Sequence, residues 1–280
     1  MTIRIGPRTS QLIAYTALLV CTVLVITILI FIIGFVLRHG LAAITWEFLT
    51  QPTKAMGREG GVFPSIIGTL MVTLVAIAIA TPLGVGSALY LTEYTKGGWI
   101  RRIISFGADC LAGVPSIIFG LFGFIFFVIT LKLGWSILSG GLTLAVMILP
   151  TIIRTSEEAI KAVPKAYREI SYSLGVGKID TILRIVLPTA FPGIATGIIL
   201  GIGRAVSETA AVIFTAGSSL NMPTSILSST RTLAVHFYIL AREGISMQNA
   251  YGTAAVLVIS ILIINFIAYR LMHRFIARYY

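Results

Sequence analysis

Long apolar runs without a charged residue dominate this chain. Four of them occupy residues 9–37, 60–92, 110–131 and 133–153; a fifth begins at 185–203 and continues past two charged residues to 214, and a sixth occupies 244–269. Each run provides the roughly 20 residues that a helix needs to cross a bilayer. The runs are continuously apolar and do not alternate with polar residues, which favours helices over a membrane barrel. The sequence therefore predicts an all-α membrane protein with six transmembrane helices.

The composition excludes a soluble protein. Hydrophobic residues make up 57% of the chain and charged residues 11%, and the mean hydropathy is +0.98. A soluble domain carries about 25% charged residues, and a disordered chain is poor in apolar residues. Cys21 and Cys110 both lie in apolar stretches, so neither a disulfide framework nor a cysteine metal site is expected.

The distribution of basic residues predicts the orientation. The chain has 21 Lys and Arg against 10 Asp and Glu. With the N-terminus inside, 14 basic residues fall in inner segments and 6 in outer ones, while Arg204 lies within a span. Because cytoplasmic segments retain Lys and Arg, both termini are predicted to be cytoplasmic. The excess of positive charge therefore does not indicate a nucleic-acid partner.

The predicted organisation follows from these spans. It comprises a cytoplasmic N-terminus at 1–10, a first transmembrane helix at 11–37, an external loop at 38–64, a five-helix core at 65–272 with an inner loop at 154–187, and a cytoplasmic tail at 273–280. Arg270, Arg274 and Arg278 recur every fourth residue at the inner end of the last span. This stripe is either a solvated flank that fixes topology or a contact with anionic lipid headgroups.

The inner loop contains a short amphipathic segment. Pro164 can begin a helix and Gly175 can end one in a left-handed conformation. Between them, Ala166, Ile170 and Leu174 are spaced to share one helix face. Periodicity alone leaves two roles open, namely contact with the lipid surface and docking into a groove of a soluble partner.

This loop also carries a resemblance to a known family. Permease subunits of binding-protein-dependent ABC importers have the pattern E-A-A, three residues, G, nine residues, I-x-L-P. The chain has Glu169-Ile170-Ser171, then Gly175, then 185–188 reading I-V-L-P, so the spacing matches throughout. It differs from the family pattern at Ile170 and Ser171, where the pattern has alanines. The resemblance implies a type I importer fold and assigns contact with an ATPase to the following residues: Tyr167, Arg168, Glu169, Ile170, Ser171, Gly175, Ile185, Leu187 and Pro188.

Within that family, the chain resembles the phosphate-specific permeases. The stretches that carry this resemblance read GGVFPSIIGTL at 60–70, GVPSIIFGLFG at 113–123 and GRAVSETAA at 203–211. The resemblance implies that the chain forms a phosphate translocation path with a homologous permease subunit. It also implies two ATP-binding subunits inside, a phosphate-binding protein outside and a location in the bacterial plasma membrane.

The chain itself has no phosphate-binding loop for ATP. Its nearest approach is Gly177-Lys178, but Ile179 follows the lysine and Tyr172 occupies the position of the required upstream glycine. We therefore expect a transporter subunit that is not an enzyme and binds no cofactor, with ATP and Mg²⁺ on partner subunits.

A charged pair interrupts the fifth span. Arg204 and Glu208 are four residues apart and would share a face of a continuous helix. A charge near the bilayer centre costs about 2.5–3.5 kcal/mol on insertion scales, so the pair needs a reason to be there. Three hypotheses remain open. Arg204 lines the path and binds phosphate while Glu208 moderates the attraction; or the pair is a buried structural salt bridge; or the helix ends near Gly203 and the pair lies at the outer interface.

Other polar residues are weaker candidates for the path. Ser207 and Thr209 flank the charged pair, and Ser116 follows Pro115, whose ring can kink the third span. For each, ordinary helix packing is the simpler interpretation. Two rival functions also remain, namely a permease for sulfate, molybdate or phosphonate, and an ATP-independent channel or scaffold.

Overall fold

A computed structural model describes residues 6–95 and 98–279. The helices are α1 (Pro7–Gly40), α2 (Trp46–Thr50), α3 (Phe63–Leu89), α4 (Trp99–Ala112), α5 (Ser116–Gly123), α6 (Ile137–Ala162), α7 (Lys165–Ser173), α8 (Lys178–Thr181), α9 (Leu187–Ser207), α10 (Ala210–Thr215), α11 (Leu233–Arg242) and α12 (Met247–Tyr279). Short 3₁₀ turns occupy Leu41–Ala43 and Ala55–Gly57, and π-helical turns occupy Tyr90–Tyr94, Phe124–Thr130 and Ile182–Val186. Three of the 14 basic residues counted as inner lie outside the described residues, namely Arg4, Lys96 and the side chain of Arg278.

Five helical segments in the described ranges are long and apolar enough to cross a membrane. They are Arg8–Ala43, Phe63–Tyr94, Ile137–Ala162, Lys178–Ser207 and Met247–Arg274. They match five of the predicted spans, which confirms the all-α membrane class.

The predicted third span, 110–131, contains a sharp bend. The chain bends by 104° between Arg101–Ala112 and Ser116–Thr130, at the Gly113-Val114-Pro115 break. Cys110 therefore belongs to α4, an amphipathic helix that lies across the direction of α5 and leaves Trp99 and Phe106 exposed. Pro115 accounts for the break, because its ring disfavours helical backbone at the preceding residue.

Helix α6 forms the centre of the bundle and packs between α3 and α9. Small residues bring these helices close together. A side chain at Gly84 of α3 would collide with Ile152 of α6, and one at Gly193 or Gly197 of α9 would collide with Ala159 or Thr155. Close helix packing is how spans associate where the surrounding lipid is as apolar as the helices.

Helix α1 is peripheral. None of its most apolar 18-residue window is buried, in contrast to 67% for α6. It contacts α12 at its end, where Gly40 lies against the Tyr251 backbone and Ala255. So large an apolar surface is suited to lipid or to another subunit.

The two predicted external segments are more ordered than loops. Thr53–Lys54 and Glu59–Gly60 form an antiparallel hairpin, and Asn249 Nδ2 donates to the Gly57 carbonyl at 2.8 Å. In the segment 217–249, α11 is largely buried and begins beside α3, since the Leu233 amide donates to Thr69 Oγ1 at 2.8 Å. No apolar run of spanning length marks α11, so this helix was not predicted from the sequence.

Candidate functional site

The inner loop folds as the sequence predicted. Helix α7 starts directly after Pro164 and stops before Gly175, which has φ +76°. Beyond its end, the Val176 amide donates to the Ser171 carbonyl at 3.1 Å and the Gly175 amide donates to the Tyr172 carbonyl at 3.0 Å. These are the bonds by which a left-handed residue closes a helix, so the predicted start and stop signals are confirmed.

Arg168 anchors α7 to the end of α3. Its Nη2 lies 2.6 Å from Oε1 of Glu93, and its Nε donates to the same oxygen at 3.0 Å. The guanidinium also donates to the carbonyls of Val163 and Ile160, at 2.9 and 3.1 Å. The side chains of Arg168 and Glu93 are only 17% and 7% exposed, so this ion pair is internal.

Ser171 also faces inward. Its Oγ lies 2.7 Å from Oγ1 of Thr181 in a buried contact between α7 and α8. Ser171, where the family pattern has alanine, therefore has a hydrogen-bond partner in Thr181. This contact avoids the free-energy cost of an unpaired buried hydroxyl.

The opposite face of α7 has no apolar cover from the described chain. Tyr167, Glu169, Ile170 and Leu174 are exposed, with Ile170 at 58% and Leu174 at 76%. Ala166 is exposed beside them. We call Ala166, Tyr167, Ile170 and Leu174 the coupling face. An apolar helix face that the chain does not bury is typical of a contact surface.

The end of the loop joins the bundle firmly. Ile185 lies in the π-helical turn before α9, and Pro188 is the second residue of α9. Leu187 packs on a buried cluster that includes Ala88 of α3 and Ile160 of α6. The C-terminal end of the loop is therefore packed against α3 and α6.

A buried carboxylate lies near this loop. Glu157 is 2% exposed and lies 2.6 Å from Lys161 Nζ, 3.2 Å from Arg101 Nη2 and 3.3 Å from Arg154 Nη1. Arg154 also pairs with Asp109, so the cluster ties α4 to α6. None of these residues was singled out from the sequence. The spacing of Arg154 and Lys161 from Glu157 could have indicated the partners within α6, but nothing in the sequence pointed to Arg101 or Asp109.

The fifth span breaks at the charged pair. Helix α9 ends at Ser207, and Glu208 has extended backbone with φ −73° and ψ 129°. Oε1 of Glu208 accepts from the Ala211 amide at 3.3 Å and so caps the first turn of α10. The expectation of a continuous helix that pairs Arg204 with Glu208 is therefore wrong. Arg204 is half-buried, and no ion pair within the described ranges includes it.

Contacts along α6 set the depth of this break. Gly197 lies against Thr155, and Gly201 lies near Ile148 and Ile152. Arg204 is one turn further along α9, so it lies close to the middle of α6. Arg204 therefore lies beside the middle of α6 and not beside its predicted outer end.

The weaker path candidates lie near the break in different settings. The Ser207 hydroxyl donates to the Gly203 and Arg204 carbonyls, at 3.0 and 3.2 Å, and so is satisfied within its own helix. Thr209 lies at the break itself and is half-buried, and Ser116 begins α5 directly after the Pro115 bend. In the described ranges, no group of three His, Cys, Asp or Glu side chains is placed to hold a metal ion.

An apolar helical bundle with a helix break near mid-depth and an exposed helix between two spans is the architecture of a membrane transport permease. The family described as "Binding-protein-dependent transport system inner membrane component" matches residues 80–279, and the chain belongs to that family.

Relatives support the same class along nearly the whole chain. "Phosphate transport system permease protein PstA 1" of Mycobacterium tuberculosis is 35% identical over 277 residues, which covers 96% of this chain and 90% of that protein. "Probable ABC transporter permease protein YqgI" of Bacillus subtilis is 33% identical over 264 residues, which covers 89% of this chain and 90% of that protein.

Solved structures share the fold. An inward-facing MetNI methionine ABC transporter has a TM-score of 0.64 at 18% identity, covering 75% of this chain and 94% of its own. A bacterial ABC transporter for alginate import has a TM-score of 0.60 at 18% identity and covers 95% of this chain and 99% of its own. The chain is therefore a multi-pass permease subunit of a bacterial ABC importer, which works with a second permease, an ATPase and a binding protein.

Proposed function

We propose that this chain is a permease subunit of an ATP-driven phosphate importer. The observation that carries the proposal is the coupling face of α7, which is exposed on one side and fixed on the other to α3 by the Arg168–Glu93 pair. Phosphate as the substrate is supported by the relative named for phosphate transport, whose alignment covers 96% of the chain.

The proposed partners are specific. The second permease is of the PstC type, the two ATP-binding subunits are of the PstB type, and the external phosphate-binding protein is of the PstS type. ATP and Mg²⁺ are bound by the PstB-type subunits and not by this chain.

The coupling mechanism follows from the anchoring of α7. Closure of the ATPase subunits on ATP displaces α7 through the coupling face, which includes Ile170 and Leu174. The charge-assisted bonds of Arg168 pass this displacement to Glu93 at the end of α3. The packing of Leu187 passes it to α9. The path then opens outward, and hydrolysis returns it to the inward-facing state.

The proposed path residues surround the break after α9. Arg204 attracts the anion, because a guanidinium fork matches the oxygens of phosphate. Glu208 is occupied by the α10 amide and does not pair with Arg204, so the cation keeps its attraction for a passing anion. Thr209, Ser207 and Ser116 contribute polar contacts along the route. A path needs binding strong enough for entry and weak enough for exit.

The test is phosphate uptake into vesicles that contain the complete transporter, with and without ATP. ATP-dependent accumulation of phosphate supports the proposal. Uptake that continues without ATP would favour a channel. Uptake of sulfate, molybdate or phosphonate in preference to phosphate would favour a permease for another oxyanion.

A further inference from the structure

A cleft lies beside the helix break, and neither the coupling face nor Arg204 lines it. It lies between α5, α10 and α11 and has a volume of about 570 Å³. It is lined by Ile117, Thr209, Ala210, Ile213, Phe214, Phe237, Tyr238 and Arg242. Its walls are therefore apolar except for two hydroxyls and one guanidinium.

The cleft connects the break with the segment predicted to lie outside. Thr209 and Ala210, at one end, directly follow the break. Helix α10 then runs along α5 and α6, since Gly120 lies against Ala210 and Gly140 lies against Ala216. Gly140 is in the first turn of α6, so α10, which lines the cleft, runs from the break towards the predicted outer end.

Arg242 lines the cleft, and no ion pair with a carboxylate in the described residues includes it. Its Nη1 donates to the Tyr238 hydroxyl at 2.9 Å, and its guanidinium carbon lies 5.6 Å from the centre of the same ring. No ion pair in the described part of the chain includes Arg242, although Glu243 is its neighbour. A neutral hydroxyl orients the guanidinium but does not neutralise it.

This setting favours an oxyanion. Charges interact more strongly beside apolar walls than in open water. A guanidinium presents several donors in a plane, and one bond to Tyr238 leaves most of them free. A phosphate oxyanion provides the charge and the acceptors that these donors lack.

We infer that this cleft is an outer oxyanion subsite in which Arg242 binds phosphate released by the external binding protein, before the anion reaches Arg204. Tyr238 is the positioning residue that holds the guanidinium. This inference rests on the proposed function and adds Arg242 and Tyr238 to it.

Transport kinetics test the role of the charge. In vesicles with the complete transporter, Arg242→Gln is compared with Arg242→Lys and with Arg58→Gln, an exposed arginine of the hairpin that does not line the cleft. We expect Arg242→Gln to lower the initial import rate at subsaturating phosphate about threefold, as loss of an exposed charge interaction would. The effect should shrink at saturation, and Arg242→Lys should retain most of the rate. A rate for Arg242→Gln equal to that for Arg58→Gln overturns the inference.

Thiol chemistry gives a second readout that does not need transport. The complete transporter carries Phe214→Cys after replacement of Cys21 and Cys110 by serine. We expect an anionic thiol reagent to react faster than a cationic one of equal size, inorganic phosphate to slow it, and Arg242→Gln to remove the preference. Equal rates for both reagents, or a thiol that neither reaches because a second permease covers it, overturn the inference.

The two readouts separate this inference from the function on which it rests. A wild-type transporter that moves no phosphate contradicts the proposed function, whatever Arg242 does. A wild type that imports phosphate while Arg242→Gln leaves both kinetics and reagent preference unchanged contradicts the subsite alone.

Discussion

Arg168 and Arg204 are held in opposite ways. Arg168 donates to Glu93 and to two carbonyls in a mostly buried setting, whereas Arg204 lies half-buried near mid-depth with no ion pair in the described ranges. A fully paired guanidinium fixes two elements together, and an unpaired one is available to a ligand. Under the proposed function, the contrast separates the region that transmits displacement from the region that receives an anion.

The largest expected effect is on the exposed side of α7. Ile170→Asp would bury a carboxylate in an apolar contact, at a cost of roughly 3 kcal/mol, which corresponds to a more than 100-fold weaker association. The measurement is copurification of the ATPase with this chain from detergent. Ile226→Asp, also at an exposed isoleucine but in the predicted outer segment, is the control and should copurify normally. Retained copurification for Ile170→Asp would contradict the docking role.

The next effect is on the inner side of α7. Glu93→Gln or Arg168→Gln leaves one mostly buried charge without its partner, which costs about 3–5 kcal/mol when burial is complete and should lower import at least tenfold. The double variant should recover part of that loss, because it leaves neither charge unpaired. Import rates of the single and double variants form the test, with Arg184→Gln, from an exposed ion pair, as the control. Losses that simply add would show that the pair does not couple α7 to α3.

A smaller effect is expected where the guanidinium is unpaired. Arg204→Gln removes a charge-assisted hydrogen bond to the passing anion, worth about 1.5 kcal/mol, and should lower import roughly tenfold. The import rate of Arg204→Lys should lie between those of the wild type and Arg204→Gln, because lysine keeps the charge but lacks the planar donor pair of the guanidinium. Assembly with the other subunits is checked by copurification. Normal import by an assembled Arg204→Gln transporter would show that Arg204 is not in the path.

The smallest effect concerns His236, a buried histidine of α11 that lies near Arg231. Burial lowers the pKa of the His236 imidazole to about 4 from 6.5, and repulsion by Arg231 adds to this. Below pH 6.5 the unfolded chain takes up the proton first, so stability falls as the pH falls towards 4. Between pH 7 and 5.5 the loss is about 1 kcal/mol.

Thermal unfolding of the detergent-solubilised chain measures this slope. His236→Gln should flatten it, and His39→Gln, at an exposed histidine, should leave it unchanged. An equal slope for wild type and His236→Gln would exclude His236 as its source.

Local patterns predicted the local structure of this chain. The uncharged runs marked five long helices, and Pro164 and Gly175 marked α7 to within a residue or two. Pro115 marked a kink, but its size of 104° depends on tertiary packing that the sequence does not state.

Long-range contacts could not be predicted in the same way. Glu93 is 75 residues from Arg168 in the chain, and no periodic pattern relates two such positions. The break at Glu208 has neither proline nor glycine as a signal, because a side-chain cap on α10 replaces them. Arg242 could be assigned to an outer segment, yet only the fold shows that it faces the same cleft as Thr209.

The glycines of α9 have a mechanical consequence. With Gly193 and Gly197 seated against Ala159 and Thr155, α9 and α6 interlock and cannot slide past each other without opening a void. If α7 is displaced as proposed, we expect both helices to move together. Because helical backbone stops at Ser207, we expect that motion to be taken up at the extended backbone of Glu208, one turn from Arg204.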